Sequence, residues 1–486
     1  MGQFEPPEGK LREEYGFFID GKPDTPVDRE RFETVDPSTE QPLVEISAGT
    51  EADVDRAVSS ARQALDEWRA TSATERGQVL FQIADAIRDH SEMLAVIEAL
   101  ESGKPYTQAV FSIKSCIDYF EYFAGLADKV QGDTIPMGWE YVDFTIREPM
   151  GVTAHITPWN FPTSIIGRSI APALAFGNTV VHKPAEETSI SALEVARLAV
   201  DAGLPPGVFN VVPGRGTEAG AALAGHRDID SLTFTGSVET GREVARLAVD
   251  NVAAPHLELG GKSPHVIFPD ADFDAAVPSI LRGIFSANSG QSCTAGSRLL
   301  VHQDIHDELV DRVVAAASEL TLGPPMDDPD MGPLVSAAQY ERVTDYIEIG
   351  REEVGEPIIG GAPDRTGYYV EPTIFDGVSN DSRIAREEIF GPVLTVIEFS
   401  DESEALEIAN DTDYGLAAGI FTSDVGRALR FARNIQAGSV FVNEYYAFGT
   451  QTPHGGFKQS GIGREKGLEA IRTYTQTKNV GINIEV

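Results

Sequence analysis

The runs Val152-Thr-Ala-His-Ile156, Thr179-Val-Val-His182, Val208-Phe-Asn-Val-Val212 and Ser231-Leu-Thr-Phe234 set short β-rich segments in series. Helical spacing lies between them at Ser191 to Ala202, and follows the last run at Gly241 to Val249. Two parallel strands can be joined only by a crossover, and a helix is the usual one, so this rhythm specifies βαβ units and an α/β fold class. A sheet of the nucleotide-binding kind is the natural expectation.

Outward from this core the pattern changes. From Glu51 to Trp68 the apolar positions Val54, Ala57, Val58, Ala61 and Leu65 share one helical face, and Gln78 to Leu100 continues the spacing, so the N-terminal quarter is expected to be mostly helical. Residues 130 to 149 read as a hairpin-like insertion, with Tyr141, Asp143 and Thr145 alternating against Val142, Phe144 and Ile146. A second α/β series runs from about Ser263 to Val442, with a strand at Ser297 to His302 and a helix at Ile305 to Leu320, and the tail from Tyr474 to Ile484 is again strand-like.

With 486 residues, two or three domains are expected. There are 76 acidic against 38 basic residues, a formal charge of −38, and no lysine falls between Lys262 and Lys458. Nucleic acid is therefore an unsuitable partner. So anionic a surface repels itself in dilute buffer, and molar salt shortens the Debye length to about 3 Å, which points to a salt-rich cytoplasm; an acidic protein of ordinary surroundings is the alternative. Two cysteines in so long a chain fit a reducing compartment. The opening MGQFEPPEGK has neither a basic start nor an apolar core, and Pro6 spoils a myristoylation signal. The most apolar stretch, Ile165 to Val181, is interrupted by Arg168, Pro172, Gly177 and Asn178, so no membrane span and a cytoplasmic location are expected.

Cys293 stands in Asn288-Ser-Gly-Gln-Ser-Cys-Thr-Ala-Gly296, where small residues let the backbone approach a ligand, whereas Cys116 sits among Ile113, Ile117 and Phe120 like a packing thiol. Most free cysteines are packing residues, so the nucleophile reading of Cys293 depends on its context. That context includes Leu257-Glu-Leu-Gly-Gly-Lys-Ser-Pro264, whose leucines would raise the carboxyl pKa of Glu258 and make it a base near neutrality; a buried ion-pair partner is the equal alternative. Asn160 in Thr157-Pro-Trp-Asn-Phe-Pro162 follows a β-run, on a strand-end loop where its amide can stabilise an alkoxide, or it merely caps a turn. Phe234-Thr-Gly-Ser-Val-Glu-Thr-Gly241 joins strand to helix, so Gly236, Ser237 and the helix N-terminus can receive a pyrophosphate, although G-x-x-x-x-G is a weak pattern. Lys183 and Glu186 in His182-Lys-Pro-Ala-Glu186 can hold ribose hydroxyls, or form a solvated pair. The nine histidines show no H-E-x-x-H, and no paired cysteine ligands occur, so no metal site is indicated.

Taken in order, TPWNFP (157 to 162), GNTVVHKPAE (177 to 186), FTGSVETG (234 to 241), LELGGKSP (257 to 264), GQSCTAG (290 to 296), EEIFGPV (387 to 393) and PHGGFKQSGIGRE (453 to 465) resemble the aldehyde dehydrogenase superfamily over nearly the whole chain. The resemblance implies a Rossmann-like coenzyme domain (1–129 and 150–257), an α/β catalytic domain (258–445), and an oligomerisation flap with a C-terminal segment (130–149 and 446–486), in a homodimer or homotetramer. It implies Cys293 as nucleophile, Glu258 as the base for deacylation, and the Asn160 amide with the Cys293 N–H as the oxyanion hole. Lys183 and Glu186 would hold the adenosine ribose, Gly236 and Ser237 the pyrophosphate, and Glu388 with Phe390 the nicotinamide end. Glu186 would repel a 2′-phosphate, which favours NAD over NADP. Glu258 argues for release by water, not by coenzyme A.

For the substrate, Arg168 lies nine residues after Trp159, where semialdehyde dehydrogenases of this family carry an arginine for a substrate carboxylate, and such a fork binds carboxylate bidentately. An arginine paired with one of the chain's many acids is the alternative. Succinate semialdehyde enzymes carry a further arginine where this chain has Ala287. The expected substrate is therefore 2-oxoglutarate semialdehyde, ahead of succinate semialdehyde and of aromatic or betaine aldehydes. A cysteine hydrolase using His155 or His454, and a non-catalytic relative, are the competing classes; the latter would be expected to lack the cysteine or the glutamate.

Overall fold

The computed structural model describes residues 11–484 other than Glu13 and Val27. The opening segment read above for a leader, residues 1–10, lies outside the described residues, as do residues 485 and 486.

The N-terminal quarter is mostly helical, as expected, and the structure adds short strands ahead of the helices. Phe17–Ile19 (β1) and Lys22–Asp24 (β2) form an antiparallel pair at one edge of the main sheet, and Glu14–Tyr15, Arg31–Asp36 and Gln41–Ser47 make a small separate sheet. Helix α1 (Glu51–Ala70) then begins at a Thr50/Asp53 capping box. The stretch Gln78 to Leu100 is broken in two, α2 (Ala73–Asp89) and α3 (Ser91–Ser102), at His90 with φ −109° and ψ 15°. Both halves keep an apolar face, so the periodicity does not register the kink. Helix α4 (Tyr106–Leu126) carries the buried Cys116.

Strand β3 (Tyr141–Pro149) pairs with the short Thr134–Ile135 and with the C-terminal strand, forming a three-stranded sheet. Its alternation is inverted relative to a core strand: Asp143 is buried and accepts from Asn479, whereas Val142 and Ile146 face outward.

The βαβ series forms as the sequence predicts at β4 (Val152–Ile156), β5 (Thr179–Lys183), α6 (Ser189–Asp201), β6 (Phe209–Val211), β7 (Ser231–Thr235) and α7 (Val238–Asp250), and the structure adds α5 (Pro162–Ala175) between β4 and β5 and β8 (Ala254–Glu258) after α7. A second sheet of seven strands gathers Pro264–Ile267, Arg298–His302 and Val393–Phe399 with four others. Near the C-terminus Gly461–Ile462 (β9) and Thr475–Asn483 (β10) follow, and β10 lies antiparallel along β3. The main sheet runs β9-β8-β7-β4-β5-β6-β1-β2, with β8 to β6 parallel.

Strand β4 therefore has β5 on one side and β7 on the other. The chain leaves the carboxyl ends of β4 and β7 in opposite directions, and this switch point opens a crevice where α/β sheets bind ligands. The loops bearing Asn160 and Ser237 leave from those two ends. Close helix packing fixes the crevice wall. A Cβ on Gly167 would lie 2.8 Å from the Cys116 Cα, so only glycine lets α5 settle on α4, and Trp68 Nε1 donates to the Leu174 carbonyl at 3.2 Å to tie α1 to α5.

Candidate active site

Cys293 lies in a loop whose backbone is bent before it arrives. Asn288 and Ser289 have φ of 54° and 52°, and Gly290, with φ +74°, passes so close to Gly391 that a Cβ would come within 2.3 Å of its carbonyl oxygen. Left-handed non-glycine residues cost stability and persist where their surroundings over-determine them. Here the Asn288 amide donates to the carbonyls of Asn160 (3.0 Å) and Gln291 (3.3 Å), and Ser289 Oγ donates to Gly332 O at 2.8 Å. The Asn160 Nδ2 donates to the same Gln291 carbonyl at 3.0 Å, which joins the β4 loop to the cysteine loop and leaves one amide hydrogen uncommitted.

Cys293 is partly exposed as a residue, and burial of its thiol pushes the pKa up to about 12; Arg168 and the residue's own backbone N–H pull the other way. The resting thiol is thus protonated at neutral pH. Cys116 is pushed up still further by burial in α4.

Glu258 is the last residue of β8 and 2% exposed, and its pKa is raised, chiefly by burial. Across Gly260 and Gly261 its strand meets the cysteine loop: a Cβ on Gly261 would sit 2.3 Å from Cys293 O. From the other side β9 pairs with β8, Gly461 opposite Glu258, and the segment 453–465 lies over the carboxylate. A Cβ on Gly455, which has φ +149°, would come 2.9 Å from Glu258 Oε1. Glycine at that position keeps the carboxylate's space open.

Arg168 is buried on α5. Its Nε lies 2.5 Å from Glu465 Oε2 and its Nη2 donates to Thr235 Oγ1 at 3.0 Å, so the guanidinium answers an internal carboxylate. Of the two histidines named for a hydrolase, His155 bonds Thr153 at 2.9 Å and stacks on Tyr474, within the sheet. His454 points at Glu258, 3.6 Å from Oε2. Neither is placed to activate the thiol.

Four of the residues expected to hold the cofactor, Lys183, Glu186, Gly236 and Ser237, lie at or just beyond the ends of β5 and β7. Lys183 Nζ is 3.2 Å from Glu186 Oε2, and Glu186 Oε1 accepts the Gly216 N–H at 2.7 Å. Ser237 caps α7 by accepting from Thr240 N at 3.2 Å and is exposed, and a Cβ on Gly236 would run into the Phe234 ring at 2.5 Å. An open helix N-terminus beside a lysine and a carboxylate fits a dinucleotide's phosphates and ribose. Glu388 Oε1 accepts the Gly261 N–H at 2.9 Å and is pushed up to about 7 by burial; Phe390 (φ 65°) meets Trp159 edge-on at 5.3 Å.

With that geometry in view, the model of the aldehyde dehydrogenase family matches residues 25–480. The chain belongs to the aldehyde dehydrogenase family. It is 49% identical over 458 residues to a hydroxyisobutyraldehyde dehydrogenase of Mycolicibacterium austroafricanum, covering 93% of this chain and 91% of that one. An NAD⁺ complex of an aldehyde dehydrogenase from Bacillus cereus superposes with a TM-score of 0.95 at 42% identity, covering 97% of both chains. A betaine aldehyde dehydrogenase of Staphylococcus aureus, also with NAD⁺, gives 0.94 at 37% identity, over 97% of this chain and 95% of that one. The fold is that of the family, and this aldehyde dehydrogenase is an NAD(P)-dependent enzyme.

Four residues of the site escape a sequence reading. Lys104 and Glu98 form a buried pair at 2.6 Å, and Lys104 also donates to Asn160 O at 2.8 Å. Glu98 in turn receives the Thr163 N–H (3.3 Å) and hydroxyl. His256 and Glu465 join Glu258 and Arg168 in one buried cluster. The alternation His256-Leu-Glu258 on a strand could have signalled the place of His256 beside Glu258; Glu98 and Lys104, six residues apart, give no sign along the chain that both turn to the Asn160 loop, and Glu465 meets its partners only through the fold.

Proposed function

We propose that the chain oxidises an aldehyde to its carboxylic acid through a thioester on Cys293, with Glu258 as the base for hydrolysis. The observation that carries the reading is a buried carboxylate at the end of β8, both oxygens without a hydrogen-bond partner among the described residues, across a glycine pair from the cysteine loop. Such a group has one evident use, to take a proton.

The Cys293 thiol gives its proton to water, the sulfur bonds to the aldehyde carbon, and the carbonyl electron pair moves to oxygen. The spare Asn160 amide hydrogen and the Cys293 N–H receive that charge. A nicotinamide dinucleotide, held by Lys183, Glu186, Gly236, Ser237, Glu388 and Phe390, supplies the hydride acceptor when bound. The acyl group then remains on sulfur. A water proton passes to Glu258, the water oxygen bonds to the acyl carbon, the C–S bond breaks, and its electrons return to sulfur. The carboxylate of Glu186 favours NAD over NADP, because a 2′-phosphate would meet a like charge.

The substrate turns on Arg168. A carboxylated semialdehyde, 2-oxoglutarate semialdehyde included, would have to draw the guanidinium out of its buried pair with Glu465. The geometry therefore favours an aldehyde without a carboxylate, in line with the name of the 49% identical hydroxyisobutyraldehyde relative. The domain division given above is retained as part of this reading. Trp139 is 97% exposed beside Val142, Ile146 and Ile482, all outward-facing on the flap, and supports a homodimer or homotetramer assembled there.

The test follows NADH absorbance with a panel of aldehydes. Cys293→Ala should give no turnover, and Glu258→Gln one burst of NADH without sustained release. Sustained turnover by Glu258→Gln would overturn the role of the base.

A further inference from the structure

Alternate side chains of a strand share a face, so His256 and Glu258 stand side by side on β8, with His256 Nε2 3.4 Å from Glu258 Oε1. His454 and Glu465 face each other through an antiparallel bridge with reciprocal 2.8 Å hydrogen bonds, and this brings His454 Nε2 to 3.6 Å from Glu258 Oε2. Each carboxylate oxygen thus faces one imidazole nitrogen. All three side chains are buried, neither Nε2 has a hydrogen-bond partner among the described residues, and His256 Nε2 lies 3.8 Å from Glu465 Oε1, farther than from Glu258. The backbone makes way for the arrangement: Gly463 has φ +92°, and a Cβ there would lie 2.1 Å from His256 Nδ1.

We propose that His256 and His454 are positioning residues that bracket the Glu258 carboxylate, one Nε2–H to each oxygen, and keep it ionised and aimed for the hydrolytic step alone. The proposal rests on Glu258 being the deacylation base. Catalytic hydrogen bonds are often long in a free enzyme and tighten in the reacting complex, so 3.4 and 3.6 Å suit a device that closes on the acyl-enzyme. The electrostatics agree. Burial drives the Glu258 pKa up and the His256 donor drives it down, while His454, held well below its ordinary value by burial and by Arg168, contributes a neutral donor. The remaining groups that face Glu258 are Glu465, Arg168, Lys466, Tyr474 and the Cys293 thiol.

The test uses the full-length enzyme and stopped-flow NADH detection. A glutamine amide can take the place of Nε2, whereas an asparagine amide stops near Nδ1. His256→Leu and His454→Leu should each leave the burst rate within about twofold and lower steady-state turnover about tenfold, the scale of one lost contribution to proton transfer. His256→Gln and His454→Gln should recover most of that loss and the asparagine variants little of it. In His256→Leu/His454→Leu the acid limb of the steady-state pH profile should move up by about one unit, because a buried carboxylate without donors holds its proton more tightly. Equal loss of burst and turnover, glutamine no better than asparagine, or a stationary acid limb would each overturn the bracket. The Gln/Asn comparison decides the matter even if the leucine variants fail to fold. Full turnover by Glu258→Gln would instead bring down the reading of Glu258 itself.

Discussion

Lys104→Met isolates the buried pair beneath the oxyanion loop. The lysine side chain has no exposed surface, and its ammonium lies 2.6 Å from Glu98 Oε1, 2.8 Å from Asn160 O and 4.5 Å from the Phe161 ring centre. Methionine keeps most of the stem and removes the charge together with its bonds to Glu98 and Asn160. Breaking a buried pair at one partner costs about 3–5 kcal/mol, because the other charge is left without its counter-ion. Glu98 would still receive the Thr163 N–H and hydroxyl, so the lower end, about 3 kcal/mol, is expected in urea unfolding. That is a large part of the roughly 5–15 kcal/mol that holds a typical domain. The rate should fall as well. Asn160 O keeps its bond from Asn288 but loses the charged donor, so the β4 loop shifts without losing its amide. Deleting an oxyanion donor outright costs about a hundredfold to a thousandfold in kcat, and a shifted one should cost about tenfold, in kcat and not in KM. Glu98→Leu combined with Lys104→Met should recover stability but not rate, since two apolar groups pack without charge yet hold nothing against Asn160. A single variant within about 1 kcal/mol of wild type and with unchanged kcat would refute the reasoning.

Alkylation of the coenzyme-free protein by iodoacetamide should accelerate about tenfold per pH unit between about pH 7 and 10, since a Cys293 pKa near 12 keeps the thiolate scarce throughout that range; peptide mapping should find Cys116 unlabelled until the protein unfolds. Arg168→Leu should slow neutral and carboxylated aldehydes of equal length by the same factor, as its guanidinium serves Glu465; a KM increase confined to carboxylated aldehydes would return the arginine to the substrate. Gly463→Ala should lower stability by about 1–3 kcal/mol through its positive φ and the contact with His256, measured by thermal unfolding, and an unchanged melting temperature would show that the backbone yields at no cost. With a charge of −38, the melting temperature should fall on dialysis from molar salt to dilute buffer; indifference to salt would retire the salt-rich setting.

The parts of this fold that can be read along the chain are those whose cause is local. Short β-rich runs alternating with helical spacing give β4 through β7, and the small residues around Cys293 announce a backbone made for close approach. Strands β1 and β2 escape that reading because their cause is remote: three residues each are too few for a period, and Phe18 is held by pairing with Val211 far along the chain. The break at His90 escapes it for the opposite reason, since both flanking helices present the same apolar pattern to one core.

Arg168 shows the limit most clearly. Its neighbours in sequence cannot say which of 76 acidic residues it faces. What settles the pairing is that β9 docks on β8 and carries Glu465 into a space where Glu258 is already buried. The neighbouring Glu465 drives the Glu258 pKa up and Arg168 drives it down, and a group serving as the deacylation base would have to stay ionised near neutrality. An internal guanidinium answers that need, and in this structure it is turned to Glu465. On the proposed roles, the residue that looks like a specificity determinant along the chain would be, in three dimensions, the counter-ion that makes the base usable.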